Sequence, residues 1–380
     1  MIPRRQLFVL HVITGLERGG AEGALYRLCS RAPSACQMMV ISLMGEGVYG
    51  RRLRASGVEV IALGIKSPLS IPGVLWRLCR TLRQRKPDLV QTWMYHADLV
   101  GGVAGRLLGV PVCWGIRLAN LENGAKRSTK LVALICGWLS GWVPDHAISC
   151  SESAIQSHRN YGYRVPITVV PNGYDLSEWK AASAHPLKRQ DVGLAESDVV
   201  VVHAARAHLQ KDHASLAHAF SAAYERNDDL RLLLCGAGLE AESDYVKSLP
   251  FSQEARKAVR PLGPRDDLPR LWRTADFFVL SSVVEGFPNV VAEAMASGLP
   301  AIVTDVGDAA LIVGNTGAVV PPSDSTALTT AILQMAAMPR EARRQLGLAA
   351  ARRVEENYTI DRMVAGFMSV WCSILRERRA

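Results

Sequence analysis

The sequence predicts an α/β protein of two doubly wound, parallel-sheet domains in tandem. Three observations carry that expectation: short runs rich in Val, Ile and Leu alternate with longer segments of helical period, a polar stretch interrupts the alternation once, and the alternation then restarts. Near-continuous apolar runs are what strands covered by helices on both faces require. A chain of 380 residues is also more than one hydrophobic core ordinarily organises.

The first series of strands is expected at Leu7 to Thr14, Met38 to Leu43, Val58 to Leu63, Leu89 to Thr92, Val110 to Ile116, Ala147 to Cys150 and Ile167 to Val170. Helical segments such as Ala21 to Arg31 and Gly73 to Arg85 lie between them. Pro171, Asn172 and Gly173 end the series, and a stretch rich in Ala, Ser and Lys runs on to about Gln190, which is linker composition. The boundaries are therefore a first domain over 1–172, a linker over 173–190 and a second domain over 191–358. Strands of the second are expected at Val199 to Ala204, Leu230 to Cys235, Phe277 to Ser281, Ala301 to Thr304 and Ala318 to Val320. In the tail, 359–380, the residues Ile360, Met363, Val364, Phe367, Val370, Trp371 and Ile374 recur at spacings of three and four, an amphipathic helix.

Hydrophobic residues make up 49% and charged residues 21%, which excludes a disordered or collagenous chain. Lys plus Arg is 44 against 35 Asp plus Glu, a formal charge of +9. The balance favours an acidic partner: nucleic acid, anionic lipid or a phosphorylated substrate. Eight cysteines show no CxxC spacing and read as reduced core thiols of a cytoplasmic protein. Leu7 to Ile13 is too short for a secretory signal and reads as a strand. Leu131 to Val143 falls short of the roughly 20 residues a bilayer span needs, leaving a buried element or an interfacial segment as readings. A second apolar tract, Leu99 to Ile116, is broken by Arg106 and reads as buried helix or strand.

The densest signal is Phe277 to Asp305. A buried strand ends near Ser282, Glu285 and Gly286 turn the chain, Pro288 suits the first turn of a helix, and Gly298 stops it. The backbone N–H groups of Phe287, Asn289 and Val290 would point out of that helix start, an anion site. Glu285 would lie at its mouth and Glu293 inside it, where a ribose diol could satisfy a buried carboxylate.

The run EGFPNVVAEAMASGLPAIVTDVGD, Glu285 to Asp308, resembles the E-x7-E signature of the retaining glycosyltransferases of family 4. That resemblance implies the GT-B fold, two Rossmann-like domains facing across a cleft, with the last helix crossing back to the first domain. It implies that Glu293 binds the nucleotide ribose, that Glu285 contacts the donor sugar, and that Gly286, Phe287, Pro288 and Asn289 surround the donor. VVHAARAHLQKD, Val201 to Asp212, is similar to the strand and loop whose basic residues grip the donor diphosphate, here Arg206 and Lys211; Ala205 stands where the family more often has Gly. GLERGGAE, Gly15 to Glu22, resembles the glycine-rich loop after the first strand, with Gly19 and Gly20 admitting close backbone approach. VVPNGYD, Val169 to Asp175, is similar to the segment leading into the hinge.

His96, after the Asp88 to Trp93 strand, stands where a cleft residue would, as a catalytic or substrate-contacting group or as a structural cap. Many relatives carry a histidine after the next strand, where this chain reads WGIRLAN; Leu118 occupies that place, and Arg117 and Asn120 are candidates for acceptor or donor contact. His203, His208 and His213 lack metal-ligand spacing, and no metal or other cofactor is expected, the nucleotide sugar being a substrate.

A sugar leaving on a diphosphate develops negative charge, which Arg206, Lys211 and the helix start near Asn289 would stabilise. The expected activity is transfer of a hexose-type sugar, with retention, from a UDP- or GDP-sugar to a hydroxyl of a glycan or lipid-linked acceptor in envelope or extracellular polysaccharide biosynthesis. An epimerase or sugar phosphorylase of the same fold is the nearest rival. A basic nucleic-acid-binding or scaffold protein is the rival of another class; with 6% aromatic residues and no helix-turn-helix or zinc pattern, no nucleic-acid partner is expected. The Arg surplus and Leu131 to Val143 suggest peripheral contact with the inner face of an anionic cytoplasmic membrane.

Overall fold

The computed structural model of the chain describes residues 6–65, 67, 70–118, 127–177, 179, 181, 185 and 187–378. The chain divides into two compact units, Met1–Tyr174 together with Ile360–Ala380, and Asp175–Thr359.

The first unit holds β1 (Leu7–Ile13), β2 (Cys36–Ser42), β3 (Glu59–Ala62), β4 (Leu89–Trp93), β5 (Val112–Ile116), β6 (His146–Ser149) and β7 (Ile167–Val169). They form one parallel sheet in the order β3-β2-β1-β4-β5-β6-β7. The strand order reverses between β1 and β4, the switch point at which doubly wound sheets open a crevice. Helices Gly20–Ser30 and Gly47–Ala55 cover one face, packing Leu25, Leu28 and Leu53 on Val9 and Val40. Helices Ile71–Arg85, Tyr95–Leu107 and Arg127–Leu139 cover the other, with Leu78, Ala104 and Cys136 in its core.

The terminal helix Ile360–Glu377 completes this unit, its stripe Met363, Phe367, Trp371 and Ile374 sharing a core with β1. Its indole is also anchored: Trp371 Nε1 donates to Gln91 Oε1 at 2.9 Å. Arg378 beyond it reaches Asp145 at 2.8 and 3.0 Å.

The second unit holds β8 (Val199–Ala204), β9 (Leu230–Cys235), β10 (Val259–Gly263), β11 (Phe277–Leu280), β12 (Ala301–Thr304) and β13 (Gly317–Val320), parallel in the order β10-β9-β8-β11-β12-β13. At the N-terminal end of its sheet, Asp276 accepts from Arg189 Nη2 at 2.9 Å, Arg343 Nη2 at 3.4 Å and the Val200 N–H at 2.8 Å. None of these three side chains is more than 9% exposed.

Two elements of the fold depart from the sequence reading. Strand β10 was not expected, because its run VRPLG carries a proline; β10 is an edge strand, where a residue without an N–H costs the ladder little. The buried reading of Leu131 to Val143 holds only in part, for Ala133, Cys136 and Val143 join the core. Helix Arg127–Leu139 buries only its small residues Ala133, Cys136 and Gly137, and leaves Leu131, Leu134 and Trp138 in water. No helix among the described residues is long and apolar enough to cross a membrane.

Candidate functional site

In the second unit the loop after β8 runs through Arg206, which is exposed, to a short 3-10 turn at Leu209–Lys211. Asp212 follows with φ at +45° and caps helix His213–Tyr224 by accepting the Ser215 N–H at 3.2 Å. This loop is tied to the one after β11: Val283 N–H donates to Gln210 O at 2.9 Å, and Ser281 Oγ to Lys211 O at 2.8 Å.

The ties bring Lys211 and Glu285 together across 74 residues of sequence, Nζ donating to Oε1 at 2.5 Å. Ser282 Oγ donates to the same oxygen at 2.6 Å, and Thr304 Oγ1 holds Ser282 by its carbonyl at 2.6 Å. The two charged side chains are 20% and 11% exposed, so the pair is shielded yet reachable. An ammonium has three donors, leaving Lys211 capacity for a further anionic oxygen.

Helix Asn289–Ala296 starts directly after this turn, with Pro288 as the residue before its first turn rather than within it, and no side chain caps its N–H groups. Val291, Ala292, Ala294 and Met295 face the core, while Glu293 is half-buried rather than buried. Phe287 is buried against Tyr358. Gly307 explains why the turn is tight. Its φ is +57°, and a Cβ there would stand 2.4 Å from Gly286 O and 2.6 Å from Glu285 O.

Beneath the basic loop, His203 bonds Val279 O through Nδ1 at 2.9 Å and packs edge-on against His213 at 4.9 Å. Burial pushes His203 down to about 4; burial, helped by His203 and Lys211, pushes His213 down to about 2. Both are neutral at pH 7, so Arg206 and Lys211 carry the cationic charge of this loop.

In the first unit Gly19 precedes and Gly20 begins helix Gly20–Ser30, again without a side-chain cap. A Cβ on Gly19 would meet only the tip of the Glu22 side chain, which can move aside. His96 lies in the first turn of helix Tyr95–Leu107, half-buried, its imidazole pushed down by burial, with no hydrogen-bond partner among the described residues. Just before it, Met94 adopts φ +70°, a conformation that costs a non-glycine residue energy.

Arg117 follows β5. Its guanidinium sits 4.3 Å from the centroid of Trp93 and 5.3 Å from that of Phe367, and Nη1 donates to Asn172 Oδ1 at 3.2 Å. Burial pushes this guanidinium down, while the Cys150 thiol, Cys113 and Asp98 favour its charged form. Leu118 is exposed, and Asn120 lies outside the described residues. Sequence reasoning missed Asp98, fully buried and held by Thr92 Oγ1 at 2.5 Å, with burial pushing its carboxyl up to about 8. A lone acid ahead of the apolar run Leu99 to Gly105 was the available signal. Among the described residues, no group of three or more His, Cys, Asp or Glu could hold a metal ion.

Two doubly wound domains, one of them offering an uncapped helix start beside a shielded lysine–carboxylate pair, define a nucleotide-binding class of α/β protein. The family Glycosyltransferase Family 4 matches residues 18–178, and Glycosyl transferases group 1 matches residues 198–338. The chain belongs to these glycosyltransferases and has their GT-B fold. It is 29% identical over 251 residues to the UDP-Gal:alpha-D-GlcNAc-diphosphoundecaprenol alpha-1,3-galactosyltransferase of Escherichia coli, a match spanning 63% of each protein and so less than two thirds of that relative. It is 26% identical over 336 residues, 85% of this chain and 90% of the relative, to the lipopolysaccharide core biosynthesis mannosyltransferase LpcC of Rhizobium leguminosarum bv. viciae. Among solved structures, Anabaena Alr3699/HepE in complex with UDP superposes with a TM-score of 0.81 at 20% identity, over 97% of this chain and 100% of that one.

Proposed function

We propose that the protein moves a hexose-type sugar, with retention at the anomeric carbon, from a UDP- or GDP-sugar to a hydroxyl of a glycan or lipid-linked acceptor in envelope or extracellular polysaccharide biosynthesis. The observation that carries this reading is the convergence of Lys211, Glu285 and Ser282 at the mouth of the uncapped helix Asn289–Ala296. The relatives' names support it, one specifying a UDP-galactose donor and a diphosphoundecaprenol acceptor, another a lipopolysaccharide core.

In this reading Lys211 and Arg206 hold the donor diphosphate, Glu293 the ribose, and Glu285 the sugar, beside Gly286, Phe287, Pro288 and Asn289. Gly19 and Gly20 let the first unit's backbone come close to substrate, and His96, Arg117 and Asn120 contact donor or acceptor. The acceptor hydroxyl attacks the anomeric carbon on the leaving-group face as the bond to the diphosphate oxygen breaks, and that oxygen takes the hydroxyl proton. Charge growing on the leaving oxygen is met by fixed donors, so the reaction as drawn is metal-independent and needs no glycosidase-type carboxylate pair. The protein would work in the cytoplasm at the inner face of the membrane.

Lys211→Ala should lower turnover roughly 10- to 100-fold, because it removes a phosphate contact and strips Glu285 of its cation. Lys211→Arg should recover part of the loss, and Glu293→Ala should chiefly weaken nucleotide binding. A thermal-shift series with UDP, GDP and ADP then identifies the donor base. Wild-type donor hydrolysis and nucleotide affinity in both alanine variants would overturn the site.

A further inference from the structure

Helices Ile71–Arg85, Tyr95–Leu107 and Arg127–Leu139 pack side by side on one face of the first unit's sheet. Their charge is one-sided. They carry Arg77, Arg80, Arg83, Arg106, Arg127 and Lys130, besides Arg85, which pairs with Glu59; their one acidic residue, Asp98, is fully buried.

Among those cations stand Trp76, Leu107, Leu131, Leu134, Trp138 and, just beyond the last helix, Trp142, all exposed, Trp138 at 83%. Arg80 lies 5.6 Å from the ring centroid of Trp76, and Arg106 5.6 Å from that of Trp142. The core of this face is filled by other residues, Leu78, Leu82, Ala104 and Cys136 among them, so folding does not require the exposed ones. By contrast, helices Gly20–Ser30, Gly47–Ala55 and Ile360–Glu377 on the opposite side show no exposed large hydrophobic side chain.

Single exposed apolar residues need no explanation, but a concentration of them marks an interaction surface. We propose that this three-helix face docks on an anionic lipid bilayer, tryptophans and leucines entering the headgroup boundary and the basic side chains pairing with lipid phosphates. The charge selects the occupant. A second copy of the chain, meeting this face through a two-fold axis, would oppose cations to cations. The inference rests on the membrane location of the proposed activity and names the surface that serves it; vesicle binding is measured without donor or acceptor, so failure of docking and failure of sugar transfer are told apart.

The test is co-sedimentation of the full chain with vesicles of phosphatidylcholine alone and mixed with phosphatidylglycerol, at low and high salt. Binding should be at least about tenfold tighter to the anionic vesicles and weaken with salt. The double variant Arg80→Glu/Arg83→Glu should lose about tenfold or more of that affinity. Trp138→Ser/Trp142→Ser should also bind more weakly and show less fluorescence quenching by lipids brominated in the acyl chain, while keeping the wild-type melting temperature. Absence of vesicle binding at low salt, equal binding by wild type and both variants, or self-association through Trp138 in place of vesicle binding would each overturn the proposal.

Discussion

Charge buried in the second unit comes in matched sets: Arg189 and Arg343 share Asp276, and Lys211 holds Glu285. The buried Asp98 and Arg117 of the first unit form no direct ion pair. Asp98 is held by a hydroxyl and a backbone N–H, with Arg117 acting on it only at longer range, and Arg117 rests on two aromatic faces, an amide oxygen and the Cys150 thiol. The sheets are wound alike, so topology does not dictate this difference. Matched sets hold loop geometry and are costly to break at one end, whereas an unmatched group answers to protons and to incoming ligands.

The largest test of that contrast is Asp98→Asn. Asp98 has a folded-state pKa raised to about 8 by burial, above its ordinary value, so as pH rises the unfolded chain ionises first and wild-type stability falls. The asparagine variant lacks that penalty. Its stability relative to wild type should climb between about pH 4 and 8, by up to about 1.4 kcal/mol per unit, in urea unfolding across a pH series. A flat difference would place Asp98 with the matched groups.

Next is Asp276→Ala, which leaves two buried guanidinium groups without their carboxylate and should cost about 3 to 5 kcal/mol in unfolding free energy. A loss below about 1 kcal/mol would show that the carbonyls around Arg343 suffice. Smallest is Arg117→Lys, which keeps the charge but loses the planar stacking on Trp93 and Phe367, at a cost of about 0.5 to 2 kcal/mol in the same assay.

The winding was legible because it is written locally. Val199–Ala204, Leu230–Cys235 and Ala301–Thr304 are runs whose apolar character ends where the strand ends. The turn around Glu285 was legible for the same reason, since strand, glycine, proline and helix follow one another within Phe277 to Gly298. What stayed hidden depends on distant partners. Arg117 takes its seat from Phe367, 250 residues on, and Asp276 takes its meaning from Arg189, 87 residues before it, and Arg343, 67 after. No window of sequence shows those distances. The outward face of Arg127–Leu139 was hidden for another reason: the small residues Ala133, Cys136 and Gly137 fill the buried stripe with Val132 and Leu139 at its margin, while the larger Leu131, Leu134 and Trp138 point outward, against the usual weighting of apolar side chains.

The terminal helix bears on how the protein is made. Because Met363, Phe367, Trp371 and Ile374 belong to the core around β1, a segment made before the second unit waits for one made after it. At ordinary elongation rates, translating Asp175–Thr359 takes roughly 10 to 40 s. During that interval the nascent first sheet lacks the cover that Trp371 and its helix supply.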